Sequence, residues 1–210
     1  MLEDADCEVV TEFMVEYFVG GDPWTTHLQI TPDEGRLMFA PYVKNALWQN
    51  VSIGAYHKET GDLVGIVINL LGENESQLPS LPYVIEKQSI RIRQDHEMIL
   101  YFYGTSLTTT PGTTKYMELF LTAVRPDNKR RGIATELIKR TENIARQRGM
   151  KIITAICTSA FTLRATQNIG FEIKKQITYA DYVDPVTGNK ILENMEKPHV
   201  LLAMIYKNLN

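Results

Sequence analysis

The stretch best equipped for chemistry is Leu121-Thr-Ala-Val-Arg-Pro-Asp-Asn-Lys-Arg-Arg-Gly-Ile-Ala-Thr135. It reads as an apolar strand, a basic turn and the start of an amphipathic helix. A helix N-terminus leaves backbone N–H groups unpaired and carries a partial positive charge, so it is a seat for an anion. Gly132 lets the main chain approach a ligand closely, small Ala134 keeps the next turn open, and Lys129, Arg130 and Arg131 add formal charge. The Gly-Lys-Ser/Thr ending of a phosphate loop is absent, as is Gly-x-Gly-x-x-Gly. A pyrophosphate held here therefore need not belong to a nucleoside triphosphate or a nicotinamide dinucleotide. Asp95-His96-Glu97 reads as solvated surface, because neighbours on a helix point in different directions. Cys157 reads as a small core residue, and with Cys7 it shows neither metal nor disulfide spacing, so no metal is expected.

Apolar spacing predicts the elements that position this turn. Ala5 to Val19 carries the helical stripe Val9, Val10, Phe13, Met14, Tyr17 and Phe18, closed by Gly20-Gly21-Asp22-Pro23. A weaker helix is expected over Asp33 to Tyr42, then a hairpin of Val51–Tyr56 and Leu63–Leu71 around the turn Lys58–Asp62. Gly72–Pro79 reads as loop, Leu81–Tyr103 as a helix with Pro82 in its first turn, and Thr105–Thr114 as loop. Tyr116–Val124, Lys151–Cys157, Phe171–Tyr179 and His199–Lys207 read as strands, with helices over Arg131–Arg148 and Ser159–Asn168. Strands interleaved with helices imply an α/β or α+β class around a mixed sheet.

A chain of 210 residues, 44% hydrophobic and 22% charged, fits a single domain and excludes a disordered tail, a collagen-like repeat or a disulfide scaffold. No apolar run approaches the ~20 residues of a membrane span. The acidic start Met1-Leu-Glu-Asp-Ala-Asp6 lacks the order of a secretory signal, so a cytoplasmic protein with no membrane partner is expected. Net charge is −3, which argues against a nucleic-acid partner. The charge is uneven: Arg125 to Lys151 holds nine basic and three acidic residues, a cationic island on an anionic body. That pattern suggests an anionic ligand bound locally, or simply a solvated helix face.

Val124-x-Pro126, Arg131-Gly-Ile-Ala134 and the later Asn168-Ile-Gly-Phe171 resemble the GNAT superfamily of acetyl-CoA-dependent N-acetyltransferases. The family's Gln/Arg-x-x-Gly-x-Gly/Ala motif falls on Lys129 to Ala134, with Lys129 in place of Gln or Arg. The resemblance implies a GNAT fold, a twisted mixed β-sheet flanked by helices. Its central parallel strands, Tyr116–Val124 and Lys151–Cys157, would splay to admit acetyl-CoA. It implies a pantetheine arm along Leu121, Thr122, Ala123 and Val124. The pyrophosphate would then lie on Arg130, Arg131, Gly132, Ile133, Ala134 and Thr135, with Lys129 donating to phosphate. A closer resemblance, over nearly the whole chain, is to the insect-type arylalkylamine (dopamine) N-acetyltransferases. It rests on Tyr17-Phe-Val-Gly-Gly-Asp-Pro23, Cys157-Thr-Ser-Ala-Phe-Thr-Leu-Arg164, Ala180-Asp-Tyr182 and Pro198-His-Val200. That family usually begins with a strand before its first helix, so this chain is read as truncated there or as an unusual form.

Acetyl transfer to an alkylamine requires removal of a proton, since such an amine has a pKa near ~10. In the resembling family that base is the Glu before Pro, which here is Asp22. Asp has one methylene less reach, which favours a bridging water. Backbone donors at Ala123 and Val124 would stabilise the developing oxyanion. Thr158 and Thr162 match the family's Ser hydroxyls near the leaving thiolate, and His199 matches a His near the amine pocket that could shuttle protons. Tyr17, Phe18, Trp24, Phe39 and Tyr42 are expected around the amine entrance, with residues 72–114 as a variable cover. The reading is direct acetyl transfer to a small cationic arylalkylamine by a monomer or weak homodimer. The alternatives are a polyamine or agmatine acetyltransferase and a non-catalytic acyl-CoA-binding module.

Overall fold

The computed structural model describes residues 1–72, 84–102 and 115–209. Its first helix, α1 (Cys7–Met14), runs on as a π-helical turn over Val15–Val19, and α2 (Pro23–His27) and α3 (Pro32–Trp48) follow. The hairpin strands β1 (Ile53–Tyr56) and β2 (Leu63–Gly72) precede α4 (Ile90–Phe102) and β3 (Tyr116–Val124). Helix α5 (Ile133–Gln147), β4 (Ile152–Cys157), α6 (Ala160–Gln167), β5 (Glu172–Thr178) and β6 (Leu201–Asn208) complete the chain. The strands form one six-stranded sheet in the order β1-β2-β3-β4-β6-β5, so the last strand inserts between β4 and β5. Only β3 and β4 pair in parallel; every other neighbouring pair is antiparallel.

Each sheet face buries its own core, as alternating side chains dictate. On one face Met14, Trp24 and Leu47 from the N-terminal helices pack against Ile66, Ile68 and Leu121. On the other, Leu137 and Ile138 of α5 and Leu163 of α6 pack against Ile153 and Ile205.

The parallel pair β3·β4 is joined only over Tyr116↔Ile152, Met117↔Ile153 and Glu118↔Thr154, although β3 continues to Val124 and β4 to Cys157. Beyond Glu118 the two strands part, the splay that the GNAT resemblance implies. A bulge helps to open it. The β2·β3 register passes from Asn69↔Leu119 to Ile68↔Leu121, which leaves Phe120 as an extra residue on β3. Phe120 and Leu121, consecutive in sequence, therefore both contribute to the same core.

Several element boundaries differ from the expected ones. Helix α3 does not stop at Tyr42 but continues through Pro41 to Trp48. Val43, Ala46 and Leu47 are fully buried by that last stretch. Burial of a Val or Leu side chain is worth ~1.5–3 kcal/mol each, which offsets an interior proline's cost of about 3 kcal/mol. The helix expected from Leu81 begins at Ile90 instead, because Ser89 caps it: its hydroxyl accepts the N–H of Ile92 at 3.4 Å. Residues 81–83, Tyr103 and the expected loop over 105–114 lie outside the described residues. Helix α2 was not anticipated, since Pro23 reads as a terminator after α1 but serves as the first residue of a new turn.

Candidate active site

The carboxylate of Asp22 is placed by two local devices. Gly20 and Gly21 let the chain turn directly off the π-helical end: a Cβ at either would sit 2.7 Å from the carbonyl oxygen of Glu16 or Tyr17. Asp22 then becomes the N-cap of α2, its Oδ1 accepting the N–H of Trp24 at 3.0 Å and of Thr25 at 3.3 Å. Its Oδ2 accepts a hydrogen bond from the Thr158 hydroxyl, just past the end of β4. The Thr158 carbonyl accepts the hydroxyl of Tyr179 at 2.6 Å, and the Tyr179 ring stacks on Trp24. Asp22 is thus fixed between the start of α2 and the end of β4.

Asp22 and Thr158 open onto a cavity of about 160 Å³ whose walls include Phe18, Trp24, Phe39, Tyr42 and Phe120. Four of the five expected aromatics are there. Tyr17 instead packs edge-on against Phe13, and Phe120 of the bulge was not anticipated. Thr162 also lines the cavity. His199 is not among the lining residues: its Nδ1 accepts the N–H of Ala160 at the start of α6, 3.2 Å away, and its ring meets Phe161 edge-on. Burial lowers the His199 pKa, so the ring is neutral at pH 7.

Two carboxylates escaped the sequence reading. Asp95 is not solvated surface: it is buried, lines the cavity, and accepts the indole N–H of Trp24 at 2.8 Å. The signal was its spacing, three residues from both Ile92 and Met98, each buried on that face of α4. Glu118 also lines the cavity, and its signal was a lone charge within the otherwise uncharged strand Tyr116–Val124. Desolvation raises all three acids: Asp22 to about 6, Asp95 to about 7 and Glu118 to about 7. For Asp22 the bonds from Thr158, Thr25 and Trp24 oppose the rise, and for Asp95 the charge of Asp22 adds to it. Cys157 borders the cavity too, but burial pushes its thiol up to about 12, so no thiolate is available at neutral pH.

These shifts give two predictions. Thr158→Val removes a bond that holds the Asp22 pKa down, so the Asp22 carboxyl is expected to titrate at higher pH in the variant than in the wild type, read from NMR-detected pH titrations of the side chain. For Glu118, the folded chain binds more protons than the unfolded chain between pH 4.5 and about 7. Stability therefore falls as pH rises through that window, with a penalty on the order of 3 kcal/mol at pH 8. Glu118→Gln is expected to raise Tm of the unliganded protein at pH 8 and to change it little at pH 5, as measured by thermal melts.

The basic turn lies at the open mouth of the splay. Gly132 is the N-cap of α5 at φ +78°, a left-handed position, with no atom within 4 Å of where a Cβ would stand. No side chain caps the first turn of α5, and the first intrahelical bond there is Glu136 N–H to Gly132 O at 2.9 Å. Each acid of the cationic island has an arginine of its own: Arg125–Asp127, Arg140–Glu136 and Arg146–Glu142. Among the described residues Lys129, Arg130 and Arg131 form no ion pair, and all three are exposed. Arg125 N–H donates to Val64 O at 3.0 Å, and successive strand residues aim their N–H groups at opposite edges. Thr122 and Val124 therefore offer theirs to the open edge, while Ala123 offers its own to β2. An uncapped helix start, three unpaired cations and free strand amides fit the pyrophosphate and pantetheine of CoA.

The acetyltransferase (GNAT) family model matches residues 22–168, a span that takes in Asp22, both splayed strands and the basic turn. The chain belongs to that family, whose members are acetyl-CoA-dependent N-acetyltransferases. No curated protein sequence matches the chain. Among solved structures it is similar to arylalkylamine N-acetyltransferase 2 from Aedes aegypti, at 23% identity and TM-score 0.86, covering 100% of this chain and 97% of that one. It is similar as well to the mosquito arylalkylamine N-acetyltransferase like 5b, at 17% identity and TM-score 0.79, covering 100% and 98%. A third similar structure is the Drosophila melanogaster polyamine N-acetyltransferase, which forms N-acetylagmatine, at 14% identity and TM-score 0.74, covering 100% and 98%. At these identities the likeness speaks for the fold. No helix among the described residues is long and apolar enough to cross a membrane.

Proposed function

We propose that the protein acetylates the primary amine of a small arylalkylamine by direct attack on acetyl-CoA, with Asp22 as general base. The observation that carries this reading is the aromatic-walled cavity that opens on the buried Asp22 and its partner Thr158 beside the splay. A carboxylate there attracts the ammonium, and aromatic faces favour both an aryl ring and a cation. The desolvation that raises Asp22 toward 6 also lowers the pKa of an ammonium, so the two approach each other.

Acetyl-CoA supplies the acetyl group as a thioester. On the protein side, Asp22 takes the proton from the ammonium, directly or through one water. Thr158, bonded to Asp22, is positioned to pass a proton toward the departing sulfur, with Thr162 as a second hydroxyl beside it. The N–H groups of Thr122 and Val124 are the backbone donors for the acetyl oxygen and the pantetheine arm. Lys129, Arg130, Arg131 and the amides of Gly132, Ile133, Ala134 and Thr135 hold the pyrophosphate. Residues 1–210 act as one domain, with α4 of the expected cover contributing Asp95, His96 and Met98 to the amine cavity.

A second reading, a polyamine or agmatine acetyltransferase, is favoured by Asp95 and Glu118, since two carboxylates beyond the base suit a second cation. Thiol release measured over arylalkylamines, polyamines, amino acids and a lysine peptide separates the readings. The arylalkylamine reading predicts the highest kcat/KM for an aryl-ethylamine, and a lead of ten times or more for a polyamine would replace it with the second.

A further inference from the structure

We infer that Glu118 is a specificity-determining residue of the amine cavity, accepting a hydrogen bond from an N–H or O–H donor at the end of the substrate remote from the reacting nitrogen. The inference rests on the amine-acetyltransferase reading above. Of the three carboxylates among the described residues that line the cavity, two are engaged: Asp22 with Thr158, Trp24 and Thr25, and Asp95 with the Trp24 indole. Glu118 has no hydrogen bond or ion pair among the described residues. Its strand neighbours Met117 and Leu119 are buried in the core of the opposite sheet face, so Glu118 faces the cavity side with Phe120.

Position gives this carboxylate its direction. Glu118 pairs with Thr154 at the last joined step of the parallel strands, the closed end of the splay. Thr158, which holds the base, lies four residues further along the same chain. At about 3.3 Å per residue the two levels are roughly 13 Å apart. An elongated amine with its nitrogen at Asp22 therefore directs its far end toward Glu118, along the wall formed by the contacting rings of Tyr42 and Phe120. A desolvated acid with no donor among the described residues costs stability and does nothing for the fold. A donor on the ligand supplies the missing partner. Two chemistries carry such a donor, a phenolic hydroxyl and a second ammonium or guanidinium.

Matched substrate pairs test this: tyramine against 2-phenylethylamine, and agmatine against hexylamine, each assayed with the wild-type enzyme and Glu118→Gln. The expected result is a preference of about ten- to a hundredfold in kcat/KM for the donor-bearing member of at least one pair, carried mainly by KM. Glu118→Gln should reduce that ratio to within about threefold, while Glu118→Asp keeps part of it. A purely structural role for Glu118 would lower both members of a pair together and leave the ratio intact. Preference in the tyramine pair identifies the phenol as the donor, and preference in the agmatine pair identifies the second cation. Equal wild-type turnover within both pairs, or a ratio preserved in Glu118→Gln, overturns the inference and leaves the amine reading standing. No turnover of any of the four amines overturns both. Should neither variant fold, the wild-type ratios alone decide.

Discussion

Asp22→Asn is expected to lower kcat/KM for the best amine at pH 7 by about 10²–10⁴-fold, the range a positioned general base supplies. Asn is as good an N-cap as Asp, so the bonds to the Trp24 and Thr25 amides survive and the fold is retained. What disappears is the proton acceptor. With the wild-type enzyme kcat/KM should fall below pH 6, because desolvation holds the Asp22 pKa near that value and the protonated acid cannot act as a base. Above it the profile levels off. In the variant that acid limb vanishes, and the rate climbs about tenfold per pH unit toward the amine's own pKa of ~10, as solvent supplies the deprotonated amine. Initial rates from pH 5 to 10 check both halves. A variant that keeps the wild-type acid limb would move the base elsewhere in the cavity, with Asp95 and Glu118 as the remaining acids.

The second large effect is expected at Gly132. Gly132→Val should raise KM for acetyl-CoA by about 10–100-fold while leaving KM for the amine nearly unchanged. A β-branched residue at φ +78° carries backbone strain of at least ~1–2 kcal/mol. Among the described residues nothing lies within 4 Å of the added Cβ, so no internal clash there accounts for a loss. The new side chain would stand in open space at the α5 N-terminus, where the pyrophosphate has to approach. Gly132→Ala should give a smaller loss in the same direction. Measured KM values for both substrates, together with a melt to show the variant is folded, separate lost binding from lost structure. An equal rise in both KM values would contradict a cosubstrate site at this turn.

The parts of this molecule legible in the sequence were those governed by local pattern. Tyr116–Val124 is an apolar run bounded clearly enough that its ends were placed correctly, and the Arg-Gly-Ile-Ala turn marked the helix start within two residues. The residues that shape the amine cavity were harder to read, because tertiary contacts decide them. Asp95 sits in a polar triplet that looks solvated until Trp24, 71 positions away, donates its indole N–H. Glu118 is exceptional only once the strand is known to face a cavity rather than solvent. The bulge that turns Phe120 inward comes from a slip in register between β2 and β3, which side-chain period alone does not reveal. The helix expected to end at Tyr42 runs on to Trp48 because the buried Val43, Ala46 and Leu47 outweigh the local cost of Pro41. His199 carries the sequence context of a pocket residue, yet its Nδ1 is taken by the start of α6.

The most direct test of the account is to mix the enzyme with acetyl-CoA alone and follow free thiol, then add an arylalkylamine such as tyramine. The account predicts no thiol release above background before the amine arrives, and afterwards thiol release matched mole for mole by N-acetylated amine. Thiol released in proportion to enzyme before any amine is added would mean that the acetyl group first passes to the protein. That result would contradict direct transfer in the Asp22 cavity.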